Sequence, residues 1–245
     1  MTKRAEKLEK KPRLTLAHNR LTVTIDSLKI INPLTTNQKK FFEYYKNQEK
    51  AIMLHGVAGT GKTYIALYKA LEEVLDKGNS FKKVIIVRSA VQAREIGHLP
   101  GDESEKVEVY KRPYIDICTD LFNRKDAFQR LQEQNIAEFI ITSFIRGVTL
   151  DNSIIIVDEA QNLNDSEFNT IMTRVGKNSK IIFCGDFRQT DLCKKSDLSG
   201  LKKFLAIAKL ISSFKMIEFS VDEIVRSDLV KEYILARLQY EEKQT

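Results

Sequence analysis

The sequence predicts an α/β fold, a mainly parallel sheet flanked by helices, and three observations carry the prediction. Short, almost wholly apolar runs recur at residues 51–54, 84–87, 154–157 and 181–184; such runs mark strands covered on both faces. Helical apolar spacing lies between them, as over residues 64–75 with Ile65, Leu67, Tyr68, Leu71, Val74 and Leu75,. Where the first of these strands gives way to that helix, the chain reads Gly56-Val57-Ala58-Gly59-Thr60-Gly61-Lys62-Thr63, which has the spacing of a phosphate-binding loop.

The elements follow in order. Residues 1–20 form a basic arm, with Lys3, Arg4, Lys7, Lys10, Lys11 and Arg13 against Glu6 and Glu9. It is expected to be flexible and either to contact phosphates or to act as a solubilising tail. Residues 21–245 are expected to form one domain. Leu21-Thr22-Val23-Thr24-Ile25 alternates like an edge strand. Asn32-Pro33 turns into a helix capped near Thr35 or Thr36, with Phe41, Phe42 and Tyr45 on its apolar side,. Residues 97–114, which include Gly97, Pro100, Gly101 and Pro113, read as a long charged loop,. Arg94, Lys106, Tyr110, Lys111, Arg112 and Tyr114 in or near it could stack bases and track phosphates, or simply be solvated,. Helical spacing resumes over 115–122 and 125–134, followed by a strand at 139–142. Further strands are expected at 153–157, 181–184 and 216–219, and further helices at 167–175, 201–210 and 227–238. Phe41, Phe42, Phe122, Phe128, Phe168 and Phe204 read mostly as helix core faces,.

Composition narrows the function classes. Of 245 residues, 42% are hydrophobic and 30% charged, and 40 Lys+Arg against 33 Asp+Glu leave +7. That excess suits a nucleic-acid partner. No run approaches the roughly 20 apolar residues of a membrane helix, and the N-terminus lacks the apolar run of a secretory signal. Cys118, Cys184 and Cys193 show no metal-ligand spacing, which points to reduced thiols in a cytoplasmic protein,. His18, His55 and His98 are isolated and suggest no metal cage,.

The chemistry centres on residues 56–63. Glycines let successive N–H groups of Gly56, Val57, Ala58, Gly59, Thr60 and Gly61 face phosphate oxygens, at the positive end of a helix. Lys62 is expected on the β- and γ-phosphates, with the Thr63 hydroxyl on Mg²⁺. Asp158 and Glu159 end an apolar strand expected to neighbour the loop strand. Asp158 would hold Mg²⁺, and Glu159 would activate the attacking water. Gln189, three residues after Asp186, is placed to sense the γ-phosphate. The Gln38 amide matches the N6/N7 edge of adenine. Arg226 is a candidate arginine finger, or else a surface ion pair with Asp222, Glu223 or Asp228.

Taken in order, Gln38, residues 56–63, Asp158-Glu159-Ala160-Gln161 and Gly185-Asp186-x-x-Gln189 resemble the early motifs of superfamily 1 helicases. More closely, residues 30–235 resemble the PhoH family of ATPases, through those motifs and through Arg88-Ser89-Ala90-Val91, Arg146-Gly147-x-Thr149-Leu150, Thr173-Arg174-x-Gly176 and Val225-Arg226-Ser227-x-Leu229-Val230. The resemblance implies a RecA-like P-loop fold, ATP with Mg²⁺, RNA or single-stranded DNA as partner, and a homo-oligomeric ring, with a hexamer favoured. It also implies a candidate arginine supplied by the next subunit. Ser89 and Val148 depart from the family's Arg-Pro and Arg-Gly-Arg-Thr, which puts any contact made by that second arginine in doubt. The chain's length leaves no room for a second RecA-like or a nuclease domain, so ribonuclease activity is not expected.

The expected function is Mg²⁺-dependent ATP hydrolysis coupled to nucleic acid. The alternatives are a nucleotide-gated nucleic-acid binding module with slow hydrolysis and no unwinding, or a small-molecule phosphotransferase.

Overall fold

A computed structural model describes residues 22–89, 103–186 and 195–242, without the side chains of 103–107, 195–199 and 241–242. Its elements are α1 (Thr36–Lys46), β1 (Ala51–Gly56), α2 (Lys62–Leu75), β2 (Lys83–Arg88), α3 (Glu103–Phe122), α4 (Ala127–Glu133) and β3 (Ala137–Ile141). They continue with β4 (Ser153–Val157), α5 (Asp165–Met172), β5 (Lys180–Gly185), α6 (Lys195–Lys209), β6 (Phe214–Phe219) and α7 (Asp228–Glu242). The strands form one sheet in the order β3-β2-β4-β5-β1-β6, and every pairing is parallel. The α/β prediction therefore holds.

The apolar runs form strands because both faces are covered. Alternate residues of β1, β2, β4 and β5 point to opposite sides. Ile52, Leu54, Ile86, Ile156 and Ile182 pack with α1, α2, α3 and α4. Met53, Val87, Ile155 and Phe183 pack with α5 and α6, where the Phe168 and Phe204 rings stack at 4.2 Å. Of the predicted core phenylalanines, Phe41, Phe122, Phe128, Phe168 and Phe204 are buried, while Phe42 packs half-buried. Because the strands are parallel, all their carboxyl ends meet one edge, where open α/β sheets place their ligands.

Three expectations are corrected. Residues 22–25 are not an edge strand: a 3-10 turn begins at Ile25, and the Val23 backbone bonds the Gln134 side-chain amide at 2.8 and 3.1 Å. A side chain thus satisfies the polar groups that a strand would have paired. The loop expected over 97–114 is helical from Glu103, and Pro113 lies inside α3. A proline inside a helix removes one backbone bond, but burial of Tyr114, Cys118, Leu121 and Phe122 outweighs that loss. The Asp158 strand is not adjacent to the loop strand, because β5 lies between β1 and β4. Residues 97–102 and the basic arm through Arg20 lie outside the described residues, as do His18, Arg94, His98, Cys193 and Gln189.

At the sheet edge opposite the loop, Lys180 is 1% exposed. Its Nζ lies 2.9 Å from Glu73 Oε2 and 3.7 Å from the centroid of the Tyr45 ring. Burial pulls the Lys180 pKa below its ordinary value, with the Glu73 hydrogen bond and charge opposing. Glu73→Ala strands a buried ammonium, so it is expected to destabilise the fold by about 3–5 kcal/mol. A urea titration reads this as a lower midpoint at unchanged slope; a midpoint equal to that of the parent protein would contradict it.

Candidate active site

The loop after β1 is shaped by β6. Gly56 has φ +116°, and a Cβ there would sit 2.1 Å from the Phe219 carbonyl oxygen, so only glycine allows this approach. The Val57 N–H donates to that same oxygen at 3.1 Å. Gly61, at φ 80°, is the left-handed cap from which α2 starts. Lys62 is buried and folds over its own loop, with Nζ 2.9 Å from Gly56 O, 2.7 Å from Val57 O and 3.3 Å from Thr60 Oγ1. Burial lowers its pKa, while the negative charges of Asp186, Glu159 and Asp158 work the other way.

Asp158 joins this loop from across β5. Its N–H donates to Val87 O at 3.0 Å, which fixes the strand end. The Thr63 hydroxyl donates to Asp158 Oδ1 at 2.7 Å, and the Tyr114 hydroxyl donates to Asp158 Oδ2 at 2.8 Å. Glu159 takes left-handed backbone angles, φ 51° and ψ 45°, a conformation that costs an ordinary residue about 1–2 kcal/mol. Gln161 Nε2 donates to Glu159 Oε2 at 2.6 Å, and Arg88 Nη2 lies 3.7 Å from Glu159 Oε1. The Arg88 guanidinium stands 5.6 Å from the Tyr110 ring centroid. Gln161 also reaches the next strand, where its Oε1 accepts the Asp186 N–H at 3.1 Å.

Beside these groups lies an open pocket of about 670 Å³. Ala58, Gly59, Gly61, Lys62 and Thr63 form one wall, and Pro113, Asp116, Ile117 and Asp120 of α3 another; Arg88, Asp158, Glu159, Gln161, Asp186 and Arg226 complete it. Arg226 comes from the same chain. The Val225 N–H donates to Gly59 O at 3.0 Å and sets the following residue against the loop. Of its acidic neighbours, Glu223 is held elsewhere, by Asn37 at 2.8 and 2.6 Å and by the Ser220 N–H at 3.1 Å.

The structure thus brings together Lys62, Thr63, Asp158, Glu159 and Arg226. Gln38 is buried beside the loop, but its amide is engaged within the chain. Nε2 donates to Thr60 O at 3.0 Å and Oε1 accepts the Leu34 N–H at 2.7 Å. Sequence reasoning misplaced Tyr114, which is fully buried against Asp158 and cannot stack on a base. It also gave no individual role to Arg88 or Gln161, although both sit in motifs the sequence displays.

The oxygen donors fit Mg²⁺. Thr63 and Asp158 present a hydroxyl and a carboxylate side by side, and Mg²⁺ takes one or two such groups plus phosphate oxygens and water. Among the described residues, no group of three or more His, Cys, Asp or Glu side chains could hold a metal.

Sheet, loop and strand-end carboxylates define the class: an α/β P-loop protein with a RecA-like fold. Residues 30–237 match the family described as PhoH-like protein, and the chain belongs to the PhoH-like family. A PhoH-like protein of Bacillus subtilis (strain 168) is 39% identical over 213 residues, covering 85% of this chain and 64% of the relative. One of Mycobacterium leprae is 34% identical over 225 residues, covering 90% and 63%. The protein PhoH of Escherichia coli is 33% identical over 205 residues, covering 81% and 56%. The chain therefore spans less than two thirds of the length of these curated relatives. Among solved structures, the large terminase of the thermophilic bacteriophage D6E superposes with a TM-score of 0.52 at 13% identity, over 82% of this chain and 50% of the terminase; this is a likeness of fold. No helix among the described residues is long and apolar enough to cross a membrane.

Proposed function

We propose that the protein hydrolyses ATP with Mg²⁺ and couples this to RNA or single-stranded DNA. The observation that carries the reading is the 2.7 Å bond between Thr63 and Asp158, in the pocket that also holds Lys62 and Glu159. Thr63 and Asp158 would hold Mg²⁺, which when bound draws charge from the β- and γ-phosphates. Lys62 exchanges its bonds to the loop for phosphate oxygens, and the loop N–H groups take the rest. Glu159 accepts a proton from the water that attacks the γ-phosphorus as the bond to ADP breaks, leaving ADP and phosphate. Arg226 stabilises charge on the transferring group from within its own chain, and Gln189 senses the γ-phosphate. Beyond its two bonds, Gln38 retains an amide hydrogen and a lone pair, the pair an adenine edge would engage. Nucleic acid is supported by the net charge of +7 and by the helicase-like order of the motifs.

Lys62→Ala is expected to abolish phosphate release and to weaken nucleotide binding strongly. Release at the parent rate from this variant would remove the loop from the chemistry. Addition of RNA or single-stranded DNA should raise the rate several-fold, whereas small phosphoryl acceptors should not. A rate indifferent to both nucleic acids would sink the coupling.

A specific observation favours a second reading, the nucleotide-gated binding module. Glu159 is tied to Gln161 and Arg88, and a restrained base implies slow turnover. That module would change its nucleic-acid affinity with nucleotide state while hydrolysing little. A homo-oligomeric ring, hexameric by family resemblance, is supported by Leu229 and Tyr233 of α7, which are 76% and 64% exposed. Light scattering should then give about six times the chain mass; a monomer mass would exclude the ring.

A further inference from the structure

We propose that Tyr114 is a positioning residue for Asp158, making α3 a determinant of how tightly the site holds Mg²⁺. The inference rests on the reading of Asp158 as the Mg²⁺ carboxylate and adds a residue that no motif contains. The two oxygens of Asp158 have separate partners: Thr63 on Oδ1 and Tyr114 on Oδ2, at 2.7 and 2.8 Å. Tyr114 is fully buried and Asp158 is 6% exposed, so water does not compete for the Tyr114 bond, whereas the Thr63 bond faces the pocket. A tyrosine hydroxyl keeps its proton at neutral pH, and a carboxylate offers only acceptors, so Tyr114 is the donor of this bond,. A donor fixed on Oδ2 removes the carboxylate's freedom to rotate and leaves Oδ1 beside Thr63, where both oxygens can meet one cation. Partners of this kind orient metal-binding carboxylates, and losing one costs about 10–100-fold in metal affinity or activity.

The donor comes from the helix that forms the facing wall. Pro113, Asp116, Ile117 and Asp120 of α3 line the pocket on either side of Tyr114 in sequence. One turn earlier, Tyr110 stands against Arg88, the cation next to Glu159. The helix thus contacts the metal carboxylate directly and the base carboxylate through an arginine. A hydroxyl that merely filled the core would not sit on the one carboxylate that Thr63 also holds.

Tyr114→Phe removes only the hydroxyl. The test titrates Mg²⁺ against binding of a fluorescent ADP to the parent protein, Tyr114→Phe and Asp158→Asn, with phosphate release followed in parallel. The expected result for Tyr114→Phe is a Mg²⁺ midpoint raised about tenfold, unchanged ADP binding in excess EDTA, and hydrolysis restored at high Mg²⁺. Loss of a structural contact alone would not be rescued by Mg²⁺. A midpoint within twofold of the parent, alongside a shifted Asp158→Asn, overturns the proposal and spares the metal site. An unshifted Asp158→Asn overturns the metal assignment, and the proposal falls with it. If melting shows Tyr114→Phe to be unfolded, 3-fluorotyrosine at position 114 keeps the ring and makes the hydroxyl more acidic. The Mg²⁺ midpoint must then move, and an unchanged midpoint overturns the proposal.

Discussion

Glu159→Gln is expected to lower ATP hydrolysis about 10²–10⁴-fold, the range a positioned general base contributes, with ATP binding left within a few-fold. Glutamine keeps the size and the hydrogen-bonding reach but cannot accept the water's proton at neutral pH. The fixed geometry makes the comparison clean. Glu159 is aimed by a left-handed backbone and touched by Gln161 and Arg88, not by Lys62. Its loss should therefore leave the phosphate cradle standing. Single-turnover hydrolysis beside equilibrium binding checks this, and a variant that hydrolyses at the parent rate would end the assignment of Glu159 as base.

Arg226→Ala is expected to cost about 10³-fold or more in turnover, as for arginines that neutralise a transferring phosphoryl group. The sequence left open whether this arginine acts within its chain or on a neighbour in a ring. The structure places Arg226 in the pocket of its own chain, beside a backbone bond from Val225 to Gly59. Mixing the Arg226→Ala and Lys62→Ala proteins separates the cases. Action within the chain leaves the mixture inactive, because every site lacks one of the two groups. Recovered hydrolysis would show that Arg226 serves a neighbouring subunit.

What was legible in the sequence follows from how local the signal was. The strands of β1, β2, β4 and β5 could be read because burial on both faces leaves a continuous apolar run. The loop could be read because phosphate binding constrains consecutive residues. Strand order could not, since nothing in residues 153–157 says that β5 lies between them and β1. Tyr114 was illegible for a related reason. Its partner, Asp158, is 44 residues away, and the preceding Pro113 pointed to a loop. The motif led to the expectation that Gln38 meets adenine, but its bonds to Thr60 and Leu34 depend on how α1 docks against the loop, which the motif does not encode. The exposed apolar residues of α7 carry low amphipathic contrast, so the sequence marks a helix there without saying which face is covered.

Phosphate release from ATP is the most direct test of the central claim. It is measured with the parent protein and with Lys62→Ala, in Mg²⁺ and in EDTA. The account predicts release by the parent protein that requires Mg²⁺ and is lost in Lys62→Ala. Release from the parent protein no greater than from Lys62→Ala would contradict it.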